Sequence, residues 1–513
     1  MVDGTGAARF SADVGIKGGK IIAVGDLQGA AADDVINAAG LIVCPGFIDP
    51  HTHPEDILSR PDALNYMHQG VTLVLGGNCG GGAGTDLAGF LDSVVAVRPA
   101  INYATLVGQG DIRTEVMGSK YEAPTEAELE AMKGLVATAM CEGAFGLSTG
   151  LEYYPGLASS TEEIIALAKV ADQYGGVYAS HLRDEESVAQ GGYGVINAVE
   201  EAIKIGEQSG IPVEISHIKV NGADMWYKSD EVLAMITDAR SRGVDITYDE
   251  YPWDGSSTNF TTFLPAWVSE PFRGSAGGQE AILARIANPE QRAVVKNVLQ
   301  SGLGLLVGSE FGRILISRCS WNQDFVGTNL QHVMDVWGLP STAEGAAEAV
   351  IQVIAKGGGG YISRTMNDYD IENFMRQPFG MICDDAGIPD FGVGSVHPRG
   401  YGSYAKILSD YVREKGVLTL EQAIYKMTYM PAEKFGFLEL GRGLIKEGFH
   451  ADVTVFNPET VEDKATYLQP FQYAEGFKAV LVNGEIALLD DVYLKVHAGQ
   501  VLRHTHRHPS SPT

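Results

Sequence analysis

Short apolar runs alternate with helical patterns through the middle of the chain. The runs are rich in β-branched residues, whereas segments between them, such as 126–140 and 161–173, repeat their apolar positions with a helical period. This alternation is typical of βα units around a parallel sheet, and eight units predict an α/β fold with a closed (β/α)₈ barrel. The eight predicted strands are 47–53, 71–77, 101–107, 143–147, 177–181, 213–217, 244–248 and 379–385.

One connection breaks this rhythm. About 130 residues separate the seventh run from the eighth, and this predicted insertion, about 256–378, has a helical pattern of its own near 343–355. The loops that follow the strands form the active-site face of such a barrel, so the insertion is placed to act as a lid or a specificity loop. Surface decoration without a role in binding is the alternative.

Both ends of the chain have a third pattern, in which short strands are separated by turns. GLIVCPG near the start, and GFHADVTVFNP and KAVLVNGEIAL near the end, are examples. We therefore expect residues 1–46 and 440–503 to pair in one small β-sandwich, outside a barrel domain of 47–439. Residues 504–513 contain three histidines, but a Ser- and Pro-rich terminus predicts a disordered tail rather than a metal site.

Composition and charge exclude several classes of function. With 513 residues, 45% of them hydrophobic and 20% charged, the chain can bury a large core and is not mainly disordered. Its formal net charge of -28 argues against nucleic acid or an anionic membrane as the main partner. The sequence has neither a signal-peptide pattern nor a long apolar stretch, so we expect a soluble, cytoplasmic protein with a small-molecule substrate. The composition leaves the oligomeric state open.

Four histidines occur where predicted strands end. His51 and His53 stand two apart in GFIDPHTH, so strand alternation directs both rings to one face. His181 follows VYAS and His217 follows PVEIS, in matching contexts on the same rim of the barrel. A single histidine there would more often be a hydrogen-bonded core residue, but four of them favour a bound metal ion.

Cysteine and aspartate complete this candidate metal site. Cys79 lies in GGNCG just past the second predicted strand, where glycines let the backbone approach a ligand closely. The five cysteines are too scattered for a disulfide framework, so the others are expected to be reduced core thiols. In MICDDAG, Asp384 and Asp385 have opposite strand phase, so only one should face the barrel mouth, where a carboxylate can bind metal and accept a proton. A helix cap or turn is the alternative for this pair.

Taken together, GFIDPHTH, GVTLVLGGNCG, GLSTGLEYYPG, SHLRDE, ISHIK and MICDDAG resemble the amidohydrolase superfamily, and within it the N-acyl-D-amino-acid deacylases. The resemblance covers nearly the whole chain. It implies a zinc enzyme with one tightly bound ion and a second, weaker metal position. Cys79, His181 and His217 would hold the tight zinc, while His51, His53 and Asp385 would surround the weaker position.

The resemblance also implies roles around the substrate. Asp385 would be the catalytic base, because the family's aspartate precedes Gly or Ala. The residues implied to lie near the substrate carboxylate are Tyr153, Lys219, Ser257 and Arg399. Lys219 and Arg399 suit this role as cations, although on charge alone each would more often be a solvated surface residue.

The function that follows from the resemblance is zinc-dependent hydrolysis of an N-acyl-D-amino acid, or a close amide, to a carboxylate and a free amine. The preference for the D-form rests on the resemblance alone. A cyclic-amide hydrolase of the hydantoinase or dihydroorotase type is the nearest alternative, but the fourth predicted strand lacks the lysine that those enzymes carboxylate. A non-catalytic scaffold on the same fold is the alternative of another class.

Overall fold

The computed structural model describes residues 1–186, 193–269 and 278–505. At its centre lie eight parallel strands, the third of which is split into two segments by Leu106. These barrel strands are β4 (Phe47–Asp49), β5 (Val71–Gly76), β6 with β7 (Asn102–Thr105 and Val107–Gly108), β8 (Gly146–Gly150), β9 (Val177–His181), β10 (Val213–Ile215), β11 (Ile246–Glu250) and β15 (Gly380–Ile382).

Backbone hydrogen bonds close these strands into a barrel. β4, β5 and β6 are neighbours on one side, and β7, β8, β9, β10, β11 and β15 on the other. The N–H of Leu106, the residue between β6 and β7, donates to Gly76 O at the end of β5 (3.0 Å). β6 and β7 therefore continue as one strand. Beyond β4 and β15, Asp385 N donates to His51 O (3.0 Å) and His53 N donates to Ala386 O (2.8 Å). The predicted eight-stranded barrel is therefore confirmed.

Two predicted strands begin too early in the sequence. The fourth was expected from residue 143 and the seventh from 244, but β8 and β11 start three and two residues later. In both places the chain still forms the hydrogen bonds that end the preceding helix. Ala144 N donates to Ala139 O and Val244 N to Ala239 O, the six-to-one bond of a Schellman turn, each after a glycine with positive φ.

Within the described residues, sixteen α-helices cover or extend the barrel. Several begin at side-chain caps, such as the capping box of Thr125 and Glu128 before α4. No helix within the described ranges is long and apolar enough to cross a membrane. The helices are α1 (Leu64–Met67), α2 (Leu87–Val97), α3 (Gln109–Met117), α4 (Glu126–Glu142), α5 (Thr161–Gln173), α6 (Val195–Ser209), α7 (Ser229–Ser241), α8 (Ala266–Ser269), α9 (Gly278–Ala287), α10 (Pro289–Val307), α11 (Leu330–Val336), α12 (Ala343–Ala355), α13 (Asp368–Arg376), α14 (Arg399–Lys406, continued as a π-helix over Ile407–Glu414), α15 (Leu420–Met427) and α16 (Tyr429–Lys434).

The insertion between the seventh and eighth barrel strands has its own core. Its sheet has the order β12 (Ser256–Asn259), β14 (Gly360–Ser363) and β13 (Ile314–Arg318), with antiparallel pairs throughout. Helices α8 to α12 belong to the same segment, and their buried apolar residues form a cluster separate from that of the barrel. The insertion is thus a structured unit. It leaves the barrel after the seventh strand, at the end where the active-site loops lie.

The two ends of the chain pair outside the barrel, as predicted. β3 (Ile42–Pro45) forms an antiparallel ladder with β16 (Val453–Phe456), and β17 (Phe477–Val482), β18 (Glu485–Leu489) and β19 (Val492–Tyr493) continue the same sheet. A hairpin of β1 (Asp13–Lys17) and β2 (Lys20–Gly25) lies beside it. The chain then returns to the barrel, where Leu502 N donates to Tyr103 O. Of the predicted tail 504–513, residues 506–513 lie outside the described residues.

Candidate active site

Three ring nitrogens surround the thiol of Cys79 at the carboxyl ends of the barrel strands. From Sγ of Cys79 the distances are 3.4 Å to Nε2 of His51, 3.6 Å to Nδ1 of His181 and 3.5 Å to Nε2 of His217. Nδ1 of His181 and Nε2 of His217 are themselves 2.8 Å apart. The three histidines are buried and the cysteine is half-buried, so these soft and borderline donors converge in a space with little room for water.

His53 and Asp385 lie beside this group. Oδ1 of Asp385 is 3.3 Å from Nε2 of His53 and 3.6 Å from Nε2 of His51. His51 therefore stands between two sets of donors, one around the thiol and one around the carboxylate. We refer to all six as the metal cluster: His51, His53, Cys79, His181, His217 and Asp385.

The metal cluster has the kinds of donor that zinc binds, and its sulfur-to-nitrogen distances suit a zinc site. Zinc takes thiolate, imidazole and carboxylate ligands, and bonds of about 2.3 Å to sulfur and about 2.0 Å to nitrogen place tetrahedral S and N ligands roughly 3.5 Å apart. The observed Sγ to nitrogen distances of 3.4 to 3.6 Å match this. Burial would raise the pKa of the Cys79 thiol, but the nearby His51 and His53 lower that pKa well below its usual value. The thiolate, which is the ligand form, is thus favoured.

The backbone is strained at three members of the metal cluster. Cys79, His217 and Asp385 have φ values of 52°, 36° and 49°, a region that residues other than glycine seldom adopt. Such strain is concentrated at functional sites. Around Cys79 the glycines are needed for packing: a Cβ on Gly80 would lie 2.7 Å from Gly150 N of β8. The backbone of the turn after β5 therefore packs closely against β8.

In His51, His181 and His217, the ring nitrogen that points away from Cys79 faces a polar group. Such outer contacts fix the tautomer and the orientation of a ligand histidine. The contacts are His181 Nε2 to Glu152 Oε2 (2.8 Å), His217 Nδ1 to Lys219 Nζ (2.9 Å) and to Glu185 Oε1 (3.2 Å), and His51 Nδ1 to Asp249 Oδ1 (3.7 Å).

The two aspartates after β15 have different surroundings. Asp385 lines the cavity described below, and its Oδ2 lies 2.9 Å from Nη1 of Arg399. Burial opposes ionisation, but Arg399 and His217 hold the pKa of Asp385 well below its usual value. Asp384 points into the barrel, where its backbone N–H donates to Asp49 and burial raises its pKa to about 7. Asp385 is therefore the ionised carboxylate at the mouth.

Lys219 and Arg399 are buried rather than solvated, and each already has a carboxylate partner. Lys219 Nζ donates to Glu185 Oε1 (2.5 Å), and Arg399 pairs with Asp385. Both cations also lie over the ring of Tyr251, at 5.7 Å and 4.6 Å from its centroid. Neither cation is therefore a solvated surface residue. The positive charge of each is partly neutralised before any substrate binds.

A cavity of about 200 Å³ opens above the metal cluster. Nine of the ten residues singled out in the sequence line it, and the tenth, His51, lies directly behind Cys79 and Asp385. The insertion supplies part of the wall through β12 and β14. The lining residues are His53, Cys79, Glu152, Tyr153, His181, Glu185, Glu186, His217, Lys219, Asn221, Tyr251, Ser256, Ser257, Thr258, Tyr361, Asp385 and Arg399.

Comparison with known proteins agrees with this geometry, although no protein-family profile matches the chain. A D-aminoacylase of Alcaligenes xylosoxydans xylosoxydans is 33% identical over 98% of this chain and 96% of its own length. The chain therefore belongs to the D-aminoacylase family of amidohydrolases. A solved D-aminoacylase superimposes with a TM-score of 0.81, at 32% identity over 98% of both chains. That structure is described with a binuclear metal centre in which one metal activates and the second attenuates.

A second solved member of the D-aminoacylase family differs in substrate. The N-acyl-D-glutamate deacylase from Bordetella bronchiseptica has a TM-score of 0.80 and 32% identity over 98% of both chains. It was solved with zinc and a phosphonate inhibitor that mimics the tetrahedral intermediate. Relatives with different side-chain preferences are thus equally similar to this chain, so overall identity does not separate them.

Sequence reasoning missed several cavity residues. The histidines of the metal cluster were singled out because they end predicted strands, and the family resemblance supplied the choice of Asp385. Glu152, Glu185 and Glu186 lie in loops. Glu185 and Glu186 follow His181 closely in SHLRDEE, and this short spacing was the signal that could have placed them at the mouth. Asn221, Tyr251 and Tyr361 carry no comparable signal. We call Glu152, Glu185 and Glu186 the acidic wall.

Proposed function

We propose that this member of the D-aminoacylase family is a zinc-dependent hydrolase that cleaves the amide bond of N-acyl-D-amino acids to a carboxylate and a free amine. The observation that carries the proposal is the convergence of three imidazole nitrogens on Sγ of Cys79, at 3.4 to 3.6 Å, at the floor of the cavity. A site of this kind on the active-site face of the barrel supports metal-assisted hydrolysis.

The proposed division of ligands is the one that the family resemblance implies, and the distances are compatible with it. Cys79, His181 and His217 form a compact triangle with sides of 2.8 to 3.6 Å, which supports a tightly held zinc. The weaker position lies among His51, His53 and Asp385, with Cys79 in contact with His51. Zinc, when bound, lowers the pKa of water and polarises an amide carbonyl.

Asp385 is the proposed catalytic base. Its carboxylate is ionised, because Arg399 holds the pKa low, and Oδ1 faces the metal cluster while Oδ2 is held by the guanidinium. Oδ1 is thus free of the guanidinium and available to take a proton from the attacking water. The same oxygen would return the proton to the leaving nitrogen, so one carboxylate serves as base and then as acid.

Lys219 and Arg399 are proposed to bind the substrate α-carboxylate, with Tyr153 and Ser257 beside it. Both cations are buried and line the cavity, which strengthens a charge-assisted hydrogen bond. Each also has a carboxylate partner, so the substrate would join existing ion pairs rather than meet two free cations. Tyr153 contributes an aromatic ring 4.6 Å from that of His181.

A ring-opening cyclic-amide hydrolase fits the site less well. Strand β8 reads GLSTG and has no lysine to carboxylate, and the thiol of Cys79 lies among the metal-cluster donors instead. A non-catalytic scaffold fits less well still, because the six donors of the metal cluster are all present and converge.

Turnover of a small substrate panel tests the proposal. N-acetyl-D-amino acids, their L-enantiomers and a hydantoin would be offered to the zinc-loaded protein and to protein treated with a chelator. We expect turnover of the D-forms alone, which chelation removes and added zinc restores. Hydrolysis of the hydantoin in preference to every N-acetyl-D-amino acid would contradict the proposed reaction.

A further inference from the structure

Glu186 is a half-buried carboxyl group on the cavity wall that the proposed reaction does not use. It lines the cavity, and its Oε1 accepts a hydrogen bond from Nδ2 of Asn221 (3.2 Å). The charged groups that act on it most strongly are all carboxylates: Glu152, Asp184, Glu185 and Asp224. Among the described residues, neither Glu186 nor Glu152 forms an ion pair with a lysine or arginine.

The charges of the cavity are therefore divided unevenly. Lys219 is paired with Glu185 and Arg399 with Asp385, so these two cations and two anions balance. Glu152 is directed at His181. Glu152 and Glu186 are thus the two carboxyl groups of the acidic wall that Lys219 and Arg399 do not neutralise. A ligand that fills this part of the cavity is favoured if it brings a positive charge.

We infer that this chain selects N-acyl-D-amino acids whose side chain carries a cation, such as the ammonium of D-lysine or the guanidinium of D-arginine, and that Glu186 is the residue that binds it. The inference rests on the proposed function. The α-carboxylate of such a substrate would lie at Lys219 and Arg399, and the side chain would extend to the acidic wall. Within the part of the chain that the structure describes, the amide of Asn221 donates to one oxygen of Glu186 and no donor is assigned to the other, which is the oxygen proposed to meet the ligand.

The state of Glu186 without a cation agrees with this assignment. Burial, together with the neighbouring carboxylates, raises the pKa of Glu186 well above its usual value. A cation placed against it would offset that cost, because a buried carboxylate is stabilised by a charged donor. An anionic side chain, such as that of D-glutamate, would instead add a like charge to the acidic wall. The specificity expected here therefore differs from that of the Bordetella relative.

Three substrates of similar length separate these effects. N-acetyl-D-norleucine has the methylene chain of N-acetyl-D-lysine without its ammonium, and N-acetyl-D-glutamate carries the opposite charge. kcat/KM would be measured for each with the zinc-loaded wild type and with Glu186→Gln. Glu115→Gln serves as the matched control, since Glu115 is an exposed residue of α3 that does not line the cavity.

For the wild type we expect the lysine derivative to exceed the norleucine derivative by about tenfold or more, with the glutamate derivative slowest, as for a buried hydrogen bond to a charged group. Glu186→Gln should abolish most of this ratio while turnover of the norleucine derivative changes by less than about twofold. Glu115→Gln should leave the ratio unchanged. Zinc content, measured for each variant, reports whether the floor of the cavity is intact.

The outcomes distinguish the inference from the function on which it rests. Turnover of none of the three substrates by the zinc-loaded wild type would overturn the proposed function itself. A norleucine or glutamate derivative turned over at least as well as the lysine derivative would overturn the side-chain inference alone. An unchanged ratio in zinc-replete Glu186→Gln would remove Glu186 from the selection. If Glu186→Gln loses its zinc, the side-chain inference is judged from the wild type alone, by its kcat/KM ratio of the lysine to the norleucine derivative.

Discussion

The floor of the active-site cavity is built from residues at the ends of barrel strands, whereas much of its wall comes from longer loops and from the insertion. On the floor, side chains converge from β4, β5, β9, β10 and β15, and neighbouring strands fix their spacing within the barrel. On the wall, Glu185 and Glu186 follow β9 by several residues, and Ser257 and Tyr361 belong to the separate three-stranded sheet. We infer that the floor determines which reaction is possible and that the wall determines which molecule undergoes it.

Removing a ligand from the floor should have the largest effect. Cys79→Ala and His217→Ala should each lose the tightly bound zinc and with it essentially all turnover, because both side chains belong to the compact ligand triangle. Metal content by mass spectrometry and kcat on an N-acetyl-D-amino acid measure this. Cys141→Ala, at an exposed thiol, is the control and should behave as wild type. Full zinc and turnover in both ligand variants would remove the proposed centre.

Removing the base should separate chemistry from metal binding on the same floor. Asp385→Asn should keep the tight zinc but lose about 10² to 10⁴ in kcat, the usual contribution of general acid–base catalysis. Asp384→Asn should have a much smaller effect on kcat, because that carboxyl points into the barrel towards Asp49. Pre-steady-state and steady-state kinetics with parallel zinc analysis distinguish the two. A reversed ranking would mean that the wrong aspartate has been assigned as the base.

Replacing a cation above the floor should affect binding more than chemistry. Lys219→Met should raise KM for an N-acetyl-D-amino acid by about ten- to a hundredfold, the worth of a buried charge-assisted hydrogen bond. The methyl amide, which lacks the carboxylate, should lose little. Lys228→Met, at an exposed lysine, is the control. Equal losses for both substrates would show that Lys219 acts through its ion pair with Glu185 rather than on the substrate carboxylate.

The smallest effect is expected on the wall that the insertion supplies. Ser257→Ala should lower kcat/KM by about two- to tenfold through KM, as for loss of one neutral hydrogen bond. Zinc content should not change, because β12 contributes no ligand. Ser301→Ala, at an exposed residue of α10 in the same insertion, should have no effect. A loss of zinc in Ser257→Ala would break the separation between floor and wall.

Much of the floor could be predicted because its signals are local. A histidine or cysteine directly after an apolar run must lie at the end of that strand, and parallel strands of a barrel bring these ends to one rim. His181 and His217 are examples: His181 ends β9, and His217 lies two residues beyond the neighbouring strand β10. The pairing of β3 with β16 was likewise visible, since two short strand patterns at the ends of a chain each need a partner.

The wall could not be predicted in the same way, because its contacts join residues far apart in the sequence. Tyr361 reaches the cavity only because β14 pairs with β12, about a hundred residues earlier. The partners of Lys219 and Arg399 were also hidden, since an ion pair depends on side-chain position and not on order. The predicted strand starts at 143 and 244 were wrong for a related reason. Residues there still form the hydrogen bonds that end the preceding helix.

The sequence by itself thus predicted the barrel and the pairing of its two ends, because periodicity and strand ends are properties of neighbouring residues. The choice of the six metal-cluster residues also drew on the family resemblance. The tertiary structure alone decided which donors meet, which cations are already neutralised and where the acidic wall lies. The physical reason is that charge pairing and cavity shape depend on distances of a few ångströms between loops. Such distances are set by packing of the whole fold rather than by any local stretch of the chain.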